Sequence, residues 1–146
     1  MREETIHDEF LRAVARCWLS FKGVARQYLK EQGWDLTFEQ AMTLSMLQEE
    51  DGLNLKAIAE KTDRDRTTTT RMIDGLEKRD MVVRVPDQND NRQKRIYLTR
   101  NGRKYMEDLD ERSSGFVEMT MGQESEKDLK LAAKVLERVA ARMGEK

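Results

Sequence analysis

The stretch DRDRTTTTRMIDGLEKRD, residues 63–80, restricts the fold of this chain more than any other segment. Its small and apolar side chains recur at the helical intervals i, i+3, i+4 and i+7, which predicts a helix with one buried face. That face consists of Thr69, Met72, Ile73 and Leu76. Threonine is β-branched and a modest helix former, so four in a row at a helix start indicate a role other than helix stability.

The segment before this helix predicts a second, shorter helix joined to it by a tight turn. Asn54 can cap the helix LKAIAEK, the turn TDRD follows, and Asp65 can cap the threonine helix. Two helices joined in this way form a helix-turn-helix, whose second helix enters the major groove of DNA with its N-terminal residues. Short hydroxylated side chains allow close approach, and arginines bind phosphate or guanine. The predicted contacts are Arg64, Arg66, Thr67, Thr68, Thr70 and Arg71.

The residues after the second helix predict a β-hairpin. MVVRV is strand-like and is stopped by Pro86, PDQNDNRQ is rich in turn residues, and KRIYL returns as a second strand. A hairpin in this position is the wing of a winged helix. Its tip would place Arg92 in the minor groove, with Asp90 orienting the guanidinium. The alternative for this pair is an exposed ion pair of little energetic weight. Asn89 and Lys94 complete the predicted DNA contacts.

The charge of the chain is unevenly distributed. Residues 61–104 hold 13 Lys and Arg against 7 Asp and Glu, whereas the remaining residues hold 14 against 21. The overall charge of −1 therefore hides a basic segment, which favours an anionic partner. The alternative is a solvated surface with charges on several faces.

The two ends of the chain predict long helices with wide apolar stripes. Residues 6–30 carry more apolar positions than one surface helix usually buries, which suggests two packing partners. The last predicted helix carries a continuous apolar stripe, which consists of Leu129, Ala132, Ala133, Leu136, Ala140 and Met143. Such spare apolar surface suggests a homodimer, and the alternative is packing of the stripes within one monomer.

The motifs together resemble the MarR family of transcriptional regulators. DNRQKRIYLTRNG, residues 90–102, is similar to that family's D-x-R…L-T-x-x-G signature, and it follows a segment similar to the family's recognition helix. The resemblance implies a mainly α fold with a small β-hairpin wing. It implies a winged helix-turn-helix over 37–100, with dimerisation helices over 1–33 and 101–146, in one domain of 1–146. It also implies a homodimer on near-palindromic double-stranded DNA, acting as a repressor.

The resemblance implies a small aromatic or phenolic effector as well, bound between the dimerisation and DNA-binding regions. Trp18 and the nearby arginines are candidates for the lining of this pocket, which the sequence does not locate. The chain departs from the family at Asp80, where glycine is usual, and at Asp63 and Arg64 in the turn. Asp80 is therefore expected to adopt the left-handed backbone conformation, which aspartate tolerates better than most residues.

Other classes of function have little support. Motifs of nucleotide-binding or hydrolytic enzymes are missing, and one His and one Cys leave few groups for catalysis or metal binding. We therefore expect no enzyme, cofactor or metal. With no signal-like N-terminus and no apolar run of about 18 residues, we expect a cytoplasmic protein away from membranes.

Two alternative functions remain open. Cys17 is expected to be a small buried hydrophobe in the first helix, and the alternative is an oxidant sensor. A protein-interaction module that does not bind DNA is the other alternative. It would show no preference for duplex DNA.

Overall fold

A computed structural model describes residues 4–144 of the protein. It confirms the mainly helical fold with a small antiparallel sheet. The elements in chain order are α1 (Ile6–Glu31), α2 (Phe38–Glu49), β1 (Leu53–Asn54), α3 (Leu55–Thr62), α4 (Arg66–Lys78), β2 (Val82–Pro86), β3 (Lys94–Leu98), α5 (Arg100–Met121) and α6 (Glu126–Gly144). Residues 1–3 and 145–146, the outermost parts of the predicted dimerisation region, lie outside the described residues.

The chain divides into two compact units, with the boundary after Met106 inside α5. The first unit contains α1 to α4 and the sheet. Its core is formed by fully buried side chains from α2, α3, α4 and the sheet, namely Leu44, Leu47, Ile58, Ile73, Leu76 and Ile96. The second unit contains the rest of α5 and α6, and α6 has no buried residue.

Local capping fixes where most helices begin. Thr37 forms a complete capping box with Gln40 at the start of α2, as the sequence predicts. Asn54 accepts a hydrogen bond from the amide of Ala57 at 2.8 Å, and Thr99 accepts one from the amide of Gly102 at 3.0 Å. These side chains satisfy amides that the first helical turn leaves without a backbone acceptor.

The sheet has three strands in the order β1-β3-β2, all antiparallel. Pro86 is the last residue of β2 and lies opposite Lys94, so it belongs to the strand that it was expected to end. Proline is tolerated here because β2 is an edge strand. Strand β1 was not predicted. It has only two residues, and Leu53 pairs with Ile96 far along the chain.

The expected burial of Cys17 is wrong, because its side chain is exposed. Leu29 is the one buried residue of α1. Large apolar side chains of α1 remain exposed, namely Ile6, Leu11, Trp18, Leu19, Phe21 and Val24. The stripe of α1 is therefore wider than the surface that this chain offers to cover it.

Candidate nucleic-acid interface

The N-terminus of α4 is held by its capping residue and its turn. Asp65 has extended backbone angles, and its Oδ1 accepts a hydrogen bond from the amide of Thr68 at 2.8 Å. The side-chain and backbone hydrogen bonds from Thr68 lower the pKa of Asp65, so this carboxylate is ionised at neutral pH. In the turn, Asp63 has a left-handed φ of 50°. The helix-turn-helix therefore closes without glycine.

The core face of α4 determines which side chains point outward. Thr69, Ile73 and Leu76 are fully buried. As a result Arg66, Thr67, Thr68 and Arg71 are exposed, and Thr70 is half-buried at the edge. The buried face agrees with the helical spacing in the sequence, except that Met72 is only partly buried.

The hairpin is closed by Asp87, a buried residue at its turn. Asp87 Oδ1 accepts a hydrogen bond from the amide of Asn89 at 2.8 Å, and its other oxygen pairs with the guanidinium of Arg95. The bond from Asn89 and the pairing with Arg95 lower the pKa of Asp87. Arg95 also donates to the carbonyl of Gly52 at 2.9 Å, which ties β1 to the wing.

Arg92 lies exposed in the hairpin loop. Asp90 Oδ1 accepts a hydrogen bond from the backbone amide of Arg92 at 3.0 Å, not from its guanidinium as expected. Aspartate in such a loop preferentially bonds an amide two residues on, which stabilises the turn. Within residues 4–144 the guanidinium of Arg92 has no hydrogen-bond or ion-pair partner. Its charge is therefore available to a ligand.

Arg84 joins the wing to α4, a contact that the sequence motifs do not predict. Its guanidinium donates to Asp74 Oδ1 at 2.6 Å and also pairs with Glu77. The two-residue alternation of β2 puts Arg84 on the same face as buried Val82. That alternation was the available signal, because a cation facing the core side of a sheet usually has an acidic partner.

A groove of 1220 Å³ runs between α3, α4 and the wing. It brings together predicted residues that are far apart in sequence, namely Arg64, Arg66, Thr70, Asp90, Arg92 and Lys94. Thr68 and Arg71 instead line a second cavity, and Asn89 lies by a separate cavity at the hairpin end. Arg64 lines both the groove and the second cavity.

The second cavity, of 1000 Å³, lies between α1, α2 and the helix-turn-helix. Glu39 lines this cavity, and its Oε1 lies 2.6 Å from Arg26 Nη2, 3.9 Å from Lys22 Nζ and 3.6 Å from Arg64 Nη2. Partial burial raises the pKa of Glu39, but backbone hydrogen bonding and Arg26 outweigh it, and the pKa lies below its ordinary value. One wall is aromatic, since the rings of Trp18 and Phe38 lie 6.0 Å apart.

Other kinds of site receive no support from the described chain. Residues 4–144 contain no group of three or more His, Cys, Asp or Glu side chains arranged to hold a metal. Within the same range, every helix is too short or too polar to cross a membrane.

Comparison with known proteins relates the winged-helix segment to a known family. Residues 36–94 match the MarR family model. The regulator SarZ of Staphylococcus aureus is 37% identical over 76 residues, which are 52% of this chain and 50% of SarZ. The chain thus spans about half the length of the curated relatives it matches.

Solved structures extend the likeness to almost the whole chain. The transcriptional regulator SlyA is 26% identical with a TM-score of 0.75, covering 93% of this chain and 94% of SlyA. MepR of S. aureus in complex with DNA is 26% identical with a TM-score of 0.67, covering 96% of this chain and 99% of MepR. The matched family model and the winged helix show that residues 36–94 form a DNA-binding region of the MarR family type, and the solved structures share the fold of almost the whole chain.

Proposed function

We propose that this protein is a cytoplasmic, sequence-specific, DNA-binding transcriptional regulator that acts as a repressor. The observation that carries the proposal is the groove shared by Arg66 of α4 and Arg92 of the wing, both exposed. The relatives agree, since SarZ is named a transcriptional regulator and MepR is solved with DNA. In this function α4 contacts the major groove and Arg92 the minor groove, while phosphate contacts position both.

The test is duplex binding across a salt series. The probe is the DNA upstream of the protein's own gene, against a scrambled duplex of the same composition. We compare wild type, Arg92→Ala and the control Lys78→Ala, which removes an exposed cation from the opposite end of α4. We expect selective binding that falls with salt, a loss in Arg92→Ala, and little change in the control. Equal, weak binding of both duplexes by all three proteins would contradict the proposal.

The functional unit in this proposal is a homodimer. Supporting it are the exposed apolar side chains of the terminal helices, of which Leu19, Leu131 and Met143 are at least 56% exposed. Apolar surface of this extent on a single chain usually marks an interface. A two-fold dimer would present two copies of α4 to half-sites about one DNA turn apart. The dimerisation region in this proposal comprises residues 1–33 and 101–146, and the DNA-binding region residues 37–100.

Sedimentation of wild type and two variants tests the dimer. Leu136→Glu places a charge on the exposed apolar stripe of α6, and Lys134→Glu introduces the same side chain at an exposed polar position. We expect the first to shift the protein towards monomer and the second to leave the dimer intact. A monomeric wild type at micromolar concentration would exclude the homodimer.

The proposed effector is a small aromatic anion in the second cavity. The aromatic wall of Trp18 and Phe38 suits a ring, and the cations around Glu39 suit a carboxylate or phenolate. Such a ligand releases DNA only if it binds the DNA-free conformation more tightly. Titration with salicylate, followed by Trp18 fluorescence in Trp34→Phe protein, tests it. Unchanged fluorescence at millimolar salicylate would exclude this ligand.

A further inference from the structure

Three of the four threonine hydroxyls of α4 already donate hydrogen bonds inside the chain. Thr68 Oγ1 lies 2.6 Å from Asp65 Oδ2, and Thr70 Oγ1 lies 2.8 Å from the carbonyl oxygen of Arg66. Buried Thr69 bonds the carbonyl of Asp65 at 2.9 Å. The hydroxyl of Thr67 has no hydrogen-bond partner among residues 4–144.

The direction of these bonds follows from chemistry. A carbonyl oxygen and an ionised carboxylate can only accept, so the threonine must donate in each case. The bond from Thr68 to Asp65 is charge-assisted and short, and therefore among the stronger ones. Once its single proton is used, a hydroxyl offers only lone pairs to a ligand. Thr68 and Thr70 are thus acceptors, whereas Thr67 can donate or accept.

An acceptor can pair with only two groups in the major groove. These are the N6 amino group of adenine and the N4 amino group of cytosine. Guanine O6 and N7, and thymine O4, are themselves acceptors and find no proton at Thr68 or Thr70. Each threonine also carries a methyl group, which favours contact with the thymine methyl. Only an A·T pair offers both the amino group and the methyl group.

We infer that Thr68 and Thr70 make this protein select A·T pairs, by accepting from adenine N6 and contacting the thymine methyl. This rests on the proposed function and specifies the DNA that α4 recognises, with Thr70 lining the groove of Arg66 and Arg92 and Thr68 lining the second cavity. The two side chains lie on opposite flanks of Thr67, which is central on the exposed face of α4 by helical spacing. Guanine recognition falls to Arg66 and Arg71, which are exposed and carry donors only.

The test begins with selection of duplexes from a random pool, by full-length wild type and by the double variant Thr68→Val/Thr70→Val. Valine keeps the shape of threonine but removes the hydroxyl. The control Thr67→Val loses a hydroxyl with no partner in the chain. Circular dichroism checks that each variant folds. If the valines disturb the helix cap, the variant Thr68→Ser/Thr70→Ser, which keeps both hydroxyls, is measured as well. In the selected site, each adenine is then replaced by purine, which lacks the amino group, and each thymine by uracil.

We expect A·T pairs at two or more positions contacted by α4. Removing the amino group should weaken wild-type binding about three- to tenfold, as for loss of one hydrogen bond, and should weaken the double valine variant less than twofold. Thr67→Val should keep the wild-type sensitivity. Selection of guanine at these positions would overturn this inference but not the proposed function. Equal sensitivity of wild type and the double valine variant to removal of the adenine amino group would do the same. If no duplex is enriched or bound, the proposed function fails with it.

Discussion

The guanidinium of Arg84 on β2 lies 2.6 Å from Asp74 Oδ1 on α4, and it pairs with Glu77 one turn further along the same helix. One side chain therefore connects the wing to the helix that precedes it. The Arg84 side chain is 24% exposed, against 47% for Asp74. The two ion pairs are partly screened by solvent, so each contributes about 0–1 kcal/mol to folding.

The first prediction concerns this contact. Arg84→Met should lower the melting temperature by about 2–4 °C for each kcal/mol lost, and should weaken binding to the selected duplex about fivefold, because the wing is less firmly placed. Salt-series binding and thermal unfolding measure the two effects. Asp74→Asn is the control, since it removes one acidic partner of Arg84 but leaves the Arg84 cation in place. If the salt slope of Arg84→Met falls by about one, Arg84 instead contacts a phosphate.

The ion pair between Arg64 and Glu39 gives a second prediction. Their atoms are 3.6 Å apart, and Arg64 also lines the groove next to Arg66. Glu39→Gln removes the anion that competes with DNA phosphate for Arg64. We expect tighter binding and a steeper dependence on salt, by up to about 0.9 in the logarithmic slope.

The double variant Glu39→Gln/Arg64→Gln serves as control for this effect. It should return the slope to the wild-type value or below it, because the released cation is then missing. A slope in Glu39→Gln that equals the slope in wild type would show that Arg64 does not reach phosphate.

The third prediction concerns Asp80, whose φ of 56° confirms the left-handed conformation expected from the sequence. Glycine adopts this conformation without strain, so Asp80→Gly should stabilise the fold by roughly 0.5–1 kcal/mol. Arg79→Gly is the matched control, because the φ of −91° there is available to any residue and glycine should destabilise. Thermal unfolding distinguishes the two variants. If Asp80→Gly does not raise the melting temperature, the backbone at Asp80 is not strained.

The fourth prediction concerns Gly102 in the first turn of α5. A Cβ atom there would lie 2.1 Å from the carbonyl oxygen of Met81, which is backbone and cannot move freely. Gly102→Ala should cost about 1–3 kcal/mol or more. Gly115→Ala lies in the same helix, where a Cβ atom would have no described heavy atom within 4 Å apart from its chain neighbours and the adjacent helix backbone, so it should be neutral or stabilising. Equal melting temperatures for the two variants would contradict the close contact.

The fifth prediction concerns the pH dependence of the wing. The pKa of Asp87 is lowered from 3.8 in the folded chain, first by the amide of Asn89 and then by Arg95. The ionised Asp87 carboxylate therefore adds to the free energy of unfolding above pH 3.8. This contribution is lost as the pH falls through the lower pKa of the folded state. Asp87→Asn should therefore be less stable than wild type at pH 6, with a smaller difference near pH 3. Unfolding series at both values check this, and a constant difference would exclude the linkage.

The sequence determined by itself the features that depend on nearby residues. Thr37, Asn54 and Asp65 each cap a helix through an amide three residues ahead, so their role is visible in a short window. The buried face of α4 follows from helical spacing in the same way. Strand β3 was predicted with its observed bounds, because β-branched and aromatic residues lie between clear turn signals.

The tertiary structure alone decided what depends on distant partners. Strand β1 exists because Leu53 meets Ile96, and Glu39 gathers Lys22, Arg26 and Arg64 from two other parts of the chain. The exposure of Cys17 depended on how much of α1 the rest of the chain covers. Local spacing gives the direction of a side chain from its own helix or strand. Its partner is set by packing between segments tens of residues apart, which no local pattern encodes.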